Sequence, residues 1–368
     1  MTKLVAKKKI CVVSISLAKG GAERSTALLT RMLDRLGHEV HIVILEDKIA
    51  YEFAGKLFNL GKPKKLNDHL FRRLKRFQKL KRFIHTKRFD LIIDNRVKNN
   101  SLRELYYLKY LYTEQKLVYV IRSGNLNNYL AQNTKVLNDY MIRFMENKVV
   151  HFVAVSKHIK KEVKDKYNIK NISTIYNPID NTESHYTDFK RNYILFAGRL
   201  VDAVKNLRLL LHAYSKSRLP QKNINLIVLG TGSDFEMMKS LSEALGVGEN
   251  VKFLGYKSKL DDYYANAKFT VLTSRYEGYP RVLIESLAAG TPVVSVDCKS
   301  GPEEIIQNET NGLLVENNQP DILAWAMNRM FEDKELYIRC LENAKSSVSH
   351  LKLDKIALEW QELIEQYT

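Results

Sequence analysis

Short apolar runs alternate with amphipathic stretches along most of this 368-residue chain. In the first half, the apolar runs have the length and β-branched content of buried strands, namely KKICVVSIS, HEVHIVIL, FDLIIDN, KLVYVIR and HFVAVS. Helical or polar sequence follows each run, including a helix from about Ala22 to Leu36, and NISTIYNPID ends the series. This alternation predicts a doubly wound α/β domain with a parallel sheet.

The pattern begins again after the polar stretch NTESHYTDFKRN, which we interpret as a linker. A helix around Leu207 to Ser217 is predicted among the strands NYILFAGR, INLIVLGTG, VKFLGY, KFTVLTS, TPVVSVD and GLLV. We therefore expect Rossmann-like domains over residues 1–186 and 187–350, followed by an amphipathic helix over 351–368. Two facing sheets of this type would hold a ligand in the cleft beyond the carboxyl ends of their strands.

The segment EGYPRVLIESLAAGTPVVSVD places two carboxylates, Glu277 and Glu285, eight positions apart around a predicted helix N-terminus. Gly290 predicts the end of that helix, and Pro292 the break before the next strand. A strand that leads into a helix N-terminus can bind an anion, because the first amides lack intrahelical partners and the helix dipole is positive there. A carboxylate about two turns further on can bind hydroxyls such as those of a ribose. Phosphate and sugar together indicate a nucleotide sugar.

Charge divides the chain unevenly. Residues 1–186 contain 37 Lys and Arg against 17 Asp and Glu, whereas residues 187–368 contain 22 against 24. The net charge of +18 is therefore the sum of +20 in residues 1–186 and −2 in residues 187–368. This asymmetry predicts an anionic partner for the N-terminal domain, either a phospholipid surface, a phosphorylated glycan or nucleic acid.

Several protein classes are disfavoured by the composition. No apolar run approaches the roughly 20 residues that span a bilayer. The start, MTKLVAKKKICVVSISLAKGG, imitates a secretory signal but has no small-residue cleavage site, so we interpret it as a first strand. Cys11, Cys298 and Cys340 are isolated and odd in number, which is typical of reduced thiols in a cytoplasmic protein.

The string from Glu277 to Asp297 resembles the signature of the retaining GT-B glycosyltransferases of glycosyltransferase family 4, the group 1 glycosyltransferases, whose hallmark is two glutamates separated by seven residues. The resemblance implies that Glu285 binds the ribose and that Glu277 faces the donor sugar. It further implies that sugar hydroxyls contact the backbone of Gly278, Tyr279, Pro280 and Arg281, and that the diphosphate contacts the amides of Val282 and Leu283. In this family the terminal helix crosses back to the N-terminal domain, which binds the acceptor.

Two cations fit the same resemblance. In FAGRLVDAVKNLRLLL, Arg199 leaves a strand end and Lys205 follows six residues later, just before a helix. They match the family's arginine and lysine that neutralise the donor diphosphate, on which negative charge grows as it departs. Without the glutamate signature, the two residues would more often be surface cations.

Glycine turns supply further donor contacts by resemblance. Gly20 and Gly21, in GGAER, follow the first strand and begin a helix, although they do not form a GxGxxG fingerprint. Gly230 and Gly232 in VLGTGSD, with Tyr256 in FLGYKS, match loops that surround the nucleotide. Each of these turns alone is as typical of an ordinary strand end.

The chain departs from the family at one position. Many relatives have a histidine after an N-terminal strand, close to the donor sugar, whereas this chain has VIRSGN. We expect Arg122, Ser123 or Asn125 to take its place in sugar contact.

The stretch from Lys64 to Arg88 contains eleven Lys or Arg and one acidic residue, Asp68. A helical wheel groups Leu66, Leu70, Leu74, Phe77, Leu80 and Ile84 on one face, opposite Arg72, Lys75, Arg76, Lys79 and Arg82, with Phe83 among the cations. This pattern fits a core-packed helix with a solvated basic face, or peripheral attachment to anionic lipid. Nucleic acid is disfavoured because no recognised binding motif accompanies the charge.

No D-x-D motif or zinc-ligand spacing occurs, so we expect neither a metal nor another cofactor. The resemblance implies retaining transfer of a hexose or N-acetylhexosamine from a nucleotide sugar, with a UDP-sugar as the expected donor, to a surface-glycan precursor such as lipopolysaccharide, capsule or a lipid-linked oligosaccharide. The expected location is the inner face of the cytoplasmic membrane. Alternatives are a GT-B sugar-nucleotide epimerase and a non-catalytic nucleotide-sugar-binding subunit.

Overall fold

The computed structural model describes residues 6–18, 20–61, 70–128, 135–180 and 192–368. The chain divides into unit 1, Met1–Pro178 with Leu353–Thr368, and unit 2, Ile179–Lys352. The predicted domain boundary after residue 186 and nearly all of the predicted linker fall in 181–191, outside the described residues.

Unit 1 contains a parallel sheet whose described strands are ordered β3-β2-β1-β4-β5-β6-β7. The strands are β1 Lys9–Ser14, β2 Glu39–Ile44, β3 Lys56–Asn59, β4 Leu91–Asp94, β5 Leu117–Ile121, β6 Val149–Ala154 and β7 Ile172–Thr174. The helices between them are α1 Gly21–Arg35, α2 Leu70–Lys87, α3 Ser101–Tyr106 with a π-helical turn Tyr107–Leu111, α4 Lys135–Lys148 and α5 Lys157–Tyr167. The central strands are continuous apolar runs because helices cover a parallel sheet on both faces.

Unit 2 contains a second parallel sheet, ordered β10-β9-β8-β11-β12-β13. Its strands are β8 Tyr193–Ala197, β9 Asn225–Leu229, β10 Val251–Gly255, β11 Thr270–Leu272, β12 Val293–Asp297 and β13 Gly312–Glu316. Its helices are α6 Asp202–Lys205, α7 Leu207–Lys216, α8 Phe235–Ala244, α9 Asp261–Asn266, α10 Arg281–Ala288, α11 Pro302–Ile305, α12 Pro320–Glu332 and α13 Lys334–Ser347. The predicted doubly wound α/β architecture is therefore confirmed in both units.

Strand order fixes where each sheet can bind a ligand. In unit 1 the direction of winding reverses between β1 and β4, and in unit 2 between β8 and β11. At such a switch point the loops that leave adjacent strands diverge to opposite faces, which opens a crevice at the carboxyl edge. The loops after β8 and β11 are those that carry the predicted cations and glutamates.

Helix α7 shows how apolar spacing builds the unit 2 core. Leu207, Leu210, Leu211 and Tyr214 recur at the i, i+3, i+4 and i+7 positions, and all four are fully buried. They pack with the sheet and with α12 in the largest core cluster of this unit. Burial of each such leucine contributes roughly 1.5–3 kcal/mol to stability, so this face holds α7, and the loop before it, firmly on the sheet.

Helix α2 differs in part from the helical-wheel prediction. Leu80 and Ile84 are buried, as predicted, but Leu74 is 44% exposed. Phe83, predicted among the cations, is instead half-buried and stacks on Phe58 of β3 at a ring distance of 3.9 Å. Strand β3 lies at the edge of the sheet and has no apolar run, so it was absent from the sequence prediction. It supplies the surface on which Phe83 packs. Leu66 and the side chains of Leu70 and Arg72 lie outside the described part.

The three cysteines are buried and free. Among the described residues, no helix combines the length and the apolar character that a membrane crossing requires.

The final helix, α14 Leu353–Tyr367, belongs to unit 1 and packs against α1. Trp360 and Ile364 are buried on its apolar face. Two histidines hold its polar side, with hydrogen bonds of 2.8 Å between His38 and Gln361 and 3.0 Å between His151 and Tyr367. The last helix is therefore tied to the loop before β2 and to β6, which lie far from it in the sequence.

Acid should loosen this attachment. Burial, with a smaller contribution from Lys160, lowers the pKa of His151 from 6.5 to about 4. Because the unfolded chain binds this proton at higher pH than the folded chain, the stabilisation is present above about pH 6.5 and is lost as pH falls towards 4. We expect unit 1 to lose about 2 kcal/mol of unfolding free energy between pH 7 and pH 5 through His151, measured by thermal melts and hydrogen exchange of α14. His151→Gln should flatten this dependence, and an unchanged pH profile in that variant would contradict the assignment.

Candidate functional site

The loops after β8 and β11 meet at the switch point of unit 2. Lys205, the last residue of α6, forms an ion pair with Glu277, with Nζ 2.6 Å from Oε1. The backbones are joined as well, because Arg275 N donates to Val204 O at 2.9 Å and Thr273 Oγ1 donates to Lys205 O at 2.8 Å. The ion pair is therefore built on two loops that are fastened to each other.

This ion pair is partly accessible. The side chains of Lys205 and Glu277 are 13% and 15% exposed, so water is scarce around them but a ligand can reach them. Ser274 also donates to Glu277 Oε1, at 2.6 Å. The carboxylate thus has one oxygen that accepts two strong hydrogen bonds.

The turn after Lys205 is fixed by two asparagines. Asn206 has left-handed backbone angles, φ 49° and ψ 55°, and separates α6 from α7. Its Nδ2 donates to Asn318 Oδ1 at 3.0 Å, in the loop after β13. Asparagine tolerates this conformation better than most residues, so the chain can reverse immediately after the lysine.

Glu285 occupies a second, more enclosed position. On α10 its Oε1 accepts a hydrogen bond from Arg281 Nε at 2.9 Å, one turn earlier, and its Oε2 accepts from Tyr264 OH at 3.3 Å. All three side chains are buried. The contact of the Arg281 side chain was not predicted, although its i,i+4 spacing to Glu285 on one helix was a local signal for it. The contact of Tyr264 was not predicted because it depends on the packing of α9 against α10.

The loop from Gly278 to Pro280 is shaped by a neighbour that the sequence analysis missed. Ser300 Oγ donates to Gly278 O at 2.8 Å. Gly301 has φ +103°, and a Cβ there would lie 2.5 Å from Pro280 Cδ and 3.2 Å from Tyr279 Cα. In the sequence, the Gly-Pro pair at 301–302, between a strand and a helix, was the one feature that could have predicted a special turn at this place.

Helix α10 begins at Arg281 directly after Pro280, and Gly290 follows its end with φ 82°, as predicted. Leu283 N donates to Pro280 O at 3.2 Å. This amide already closes the first turn of α10. Of the two predicted diphosphate contacts, Val282 and Leu283, the Leu283 amide would therefore have to share its hydrogen between Pro280 O and the diphosphate.

Glycines let the loops after β8 and β9 pass very close to each other. A Cβ at Gly230, where φ is +137°, would lie 1.8 Å from Gly198 O, and one at Gly232 would lie 2.2 Å from Leu200 O. Arg199 lies between these contact points with its side chain exposed, and its guanidinium has no hydrogen bond or ion pair with the described residues. Tyr256, just after β10, is half-buried.

In unit 1, the predicted residues lie at the carboxyl edge of the sheet. Gly20 precedes α1 in an extended conformation, and Gly21 is the first helical residue. The three atoms nearest to a Cβ at Gly20 would all belong to the movable Glu23 side chain, and φ is −170°, so the backbone does not demand glycine there. Any requirement for Gly20 would therefore come from a ligand.

Arg122 is braced from two sides. Its Nε donates to Asn95 Oδ1 at 2.9 Å and its Nη1 donates to Asn177 Oδ1 at 2.8 Å. The side chains of Ser123 and Asn125 instead accept hydrogen bonds from backbone amides two residues ahead, at 3.1 and 3.2 Å. Arg122 thereby joins residues that follow two different strands, β4 and β7.

A buried charge cluster, also missed from the sequence, surrounds Asn95. Arg96 donates to Asp94 Oδ2 at 2.7 Å and to Glu104 Oε2 at 3.0 Å, and all three side chains are at most 1% exposed. Lys98 lies 4.1 Å from the Tyr119 ring, and burial lowers its pKa to about 8 against the opposing attraction of Asp94. The cluster fixes the backbone on both sides of Asn95, and thereby the residue that holds Arg122.

Two doubly wound units, with a cation and paired glutamates at a switch point, define the class of GT-B glycosyltransferases. Among solved structures, the Anabaena protein HepE in complex with UDP and glucose matches 97% of this chain and 99% of its own, with a TM-score of 0.78 and 17% identity. The family model for glycosyl transferases group 1 matches residues 180–347, and that for glycosyltransferase family 4 matches residues 19–183. The chain therefore belongs to the group 1 glycosyltransferases of glycosyltransferase family 4, as predicted, and is a glycosyltransferase.

Two curated relatives have named activities. An N-acetylgalactosamine-N,N'-diacetylbacillosaminyl-diphospho-undecaprenol 4-alpha-N-acetylgalactosaminyltransferase of Campylobacter jejuni is 28% identical over 360 residues, which is 95% of this chain and 97% of that protein. A lipopolysaccharide 1,6-galactosyltransferase of Salmonella typhimurium is 28% identical over 196 residues, 51% of this chain and 54% of that protein.

The contact of Gly301 with Pro280 can be tested against a matched glycine. Gly246 also has positive φ, +70°, but a Cβ there would meet nothing within 4 Å. Gly301→Ala should lower the melting temperature of unit 2 by about 5 °C more than Gly246→Ala, because it adds a clash of about 2 kcal/mol, at a backbone with φ 103° and ψ −51° that lies outside the left-handed helical region. Differential scanning calorimetry of both variants checks this, and equal melting temperatures would refute it.

Proposed function

We propose that this enzyme transfers a sugar from a UDP-sugar to a lipid-linked or lipopolysaccharide glycan precursor, with retention at the anomeric carbon. The observation that carries the proposal is the Lys205–Glu277 ion pair at the switch point, with Glu285 two turns into the adjoining helix. The Campylobacter relative, whose name specifies a diphospho-undecaprenol acceptor, and the UDP complex of HepE support the substrate classes.

The donor would be held by groups of matching charge. Glu285, already oriented by Arg281 and Tyr264, would accept hydrogen bonds from the ribose hydroxyls. Arg199, exposed and without a protein partner among the described residues, and Lys205 would neutralise the diphosphate. Because two cations would meet the charge that grows on the departing group, the transfer would not need a metal.

Glu277 would position the sugar rather than attack it. Its Oε1 accepts hydrogen bonds from both Lys205 and Ser274, and such contacts reduce the nucleophilicity of a carboxylate. Retention would then arise from attack by the acceptor on the face from which the diphosphate departs, with Glu277 fixing the ring. In unit 1, the braced Arg122 would supply the sugar contact that a histidine makes in many relatives.

The acceptor would reach the enzyme at an anionic membrane, through α2. This helix contains eight Lys or Arg and no acidic residue. Lys75, Lys79 and Arg82 lie on successive turns and are exposed. Tyr106 and Tyr110, beside α2, are also exposed, with Tyr106 packed on Phe77 at a ring distance of 4.4 Å. Cations and tyrosine rings are the side chains that favour a lipid headgroup region.

Loss of either donor contact should abolish most turnover. We expect Arg199→Ala and Glu285→Ala each to reduce kcat/KM on the order of 100-fold, because each removes a charge that the proposed donor site uses. The donor is first found by thermal-shift screening of nucleotide sugars, and products with membrane glycolipid are then analysed by mass spectrometry. Arg218→Ala is the control for the loss of an arginine. Arg218 is exposed and precedes β9, so it lies towards the amino ends of the strands, whereas the proposed donor site lies at their carboxyl ends. Normal turnover of both variants with every donor would refute the proposal.

Membrane attachment should depend on charge. Replacing three of the exposed cations of α2 in Lys75→Gln/Lys79→Gln/Arg82→Gln should weaken binding to vesicles containing phosphatidylglycerol on the order of 100-fold, since each cation contributes about 1 kcal/mol. Binding of the wild type should also fall steeply with salt. Co-sedimentation measures both effects.

The control for this experiment removes the same charge from unit 2, at the exposed residues Lys252, Lys259 and Lys345. Equal losses in the two triple variants would show a general effect of net charge and would contradict attachment through α2.

A further inference from the structure

The two carboxylate oxygens of Glu277 have different surroundings. Oε1 accepts hydrogen bonds from Lys205 Nζ and Ser274 Oγ, each at 2.6 Å. Oε2 makes no hydrogen bond with any of the residues that the structure describes. One oxygen is therefore anchored to the protein, and the other is available to a ligand.

Ser274 is placed to act as an anchor. It follows β11 by two residues and is completely buried. Its carbonyl accepts a hydrogen bond from Asn317 Nδ2 at 3.3 Å, so the loop after β13 holds its backbone. A buried serine whose backbone is fixed presents its hydroxyl from a fixed point.

Lys205 is a less permanent partner of Glu277. In the proposed function, on which this inference rests, the ammonium group is attracted by the donor diphosphate, and the lysine stem is long enough to turn towards it. Glu277 would then lose one of its two donors just when its orientation matters. The serine hydroxyl has no competing ligand and remains.

We infer that Ser274 is a positioning residue for Glu277. It holds the carboxylate by Oε1, so that Oε2 stays directed to a hydroxyl or amide N–H of the donor sugar after Lys205 has moved to the diphosphate. Ser274 therefore contributes to recognition of the sugar but not of the nucleotide.

The inference separates two affinities that can be measured without an acceptor. Ser274→Ala should bind UDP within twofold of the wild type, while the extra affinity of the preferred UDP-sugar over UDP falls on the order of tenfold, as does kcat. Ser295→Ala is the control, because Ser295 is an equally buried serine, on β12, whose hydroxyl donates to the carbonyl of Val296. That variant should keep both affinities.

A double-mutant cycle distinguishes positioning from a general structural role. If Ser274 acts through Glu277, Ser274→Ala should have little further effect on sugar affinity or kcat in a Glu277→Gln background. Additive losses, or a loss of UDP affinity equal to that of UDP-sugar affinity, would overturn the inference. So would wild-type sugar discrimination in Ser274→Ala.

The same measurements keep the inference apart from the proposed function. A wild type that is stabilised by neither UDP nor any UDP-sugar refutes the proposed donor site itself. A wild type that discriminates UDP-sugar from UDP, together with a Ser274→Ala variant that does so equally well, refutes the role of Ser274 alone.

Discussion

The ion pair between Lys205 and Glu277 exists because two parallel strands from distant parts of unit 2 are neighbours. Adjacent pairing of β8 and β11 brings their exit loops together at one edge, and hydrogen bonds from Thr273 and Arg275 fasten them. Neither charge is deeply buried, so the pair is not a major source of stability. Its consequence is geometric, since a cation and a carboxylate are held where an anionic, hydroxyl-bearing ligand would arrive.

The fit of the surrounding loops depends on close backbone approach. Gly230 and Gly232 have no room for a side chain beside the loop after β8, and Gly301 has none beside Pro280. These contacts determine the course of the chain on both sides of the ion pair. Glycine at these positions is thus required by the protein itself, whereas at Gly20 the protein imposes no such requirement.

The sequence predicted most of the fold because apolar runs and helical spacing are local properties. The strands of both sheets other than β3, helix α10 and its end at Gly290 were all predicted. The exposed Leu74, the inward Phe83 and the edge strand β3 were not, because their burial depends on which elements become neighbours. The same reason explains the site: Glu277 and Glu285 share a local motif, but Tyr264, Ser300 and the Asp94–Arg96–Glu104 cluster are brought together only by packing.

The different environments of the two glutamates argue for a division of tasks. Glu285 is buried and held by Arg281 and Tyr264, so its position changes little when a ligand binds. Glu277 is more accessible, and one of its partners is a flexible lysine that a diphosphate can attract. In the proposed function, the buried carboxylate would bind the nucleoside, which is common to many donors, and the carboxylate with one oxygen open to a ligand would bind the sugar at which the reaction occurs. The seven residues between them form the loop and the first turn of α10, so in the proposed function the binding of one part of the donor would fix the position of the other.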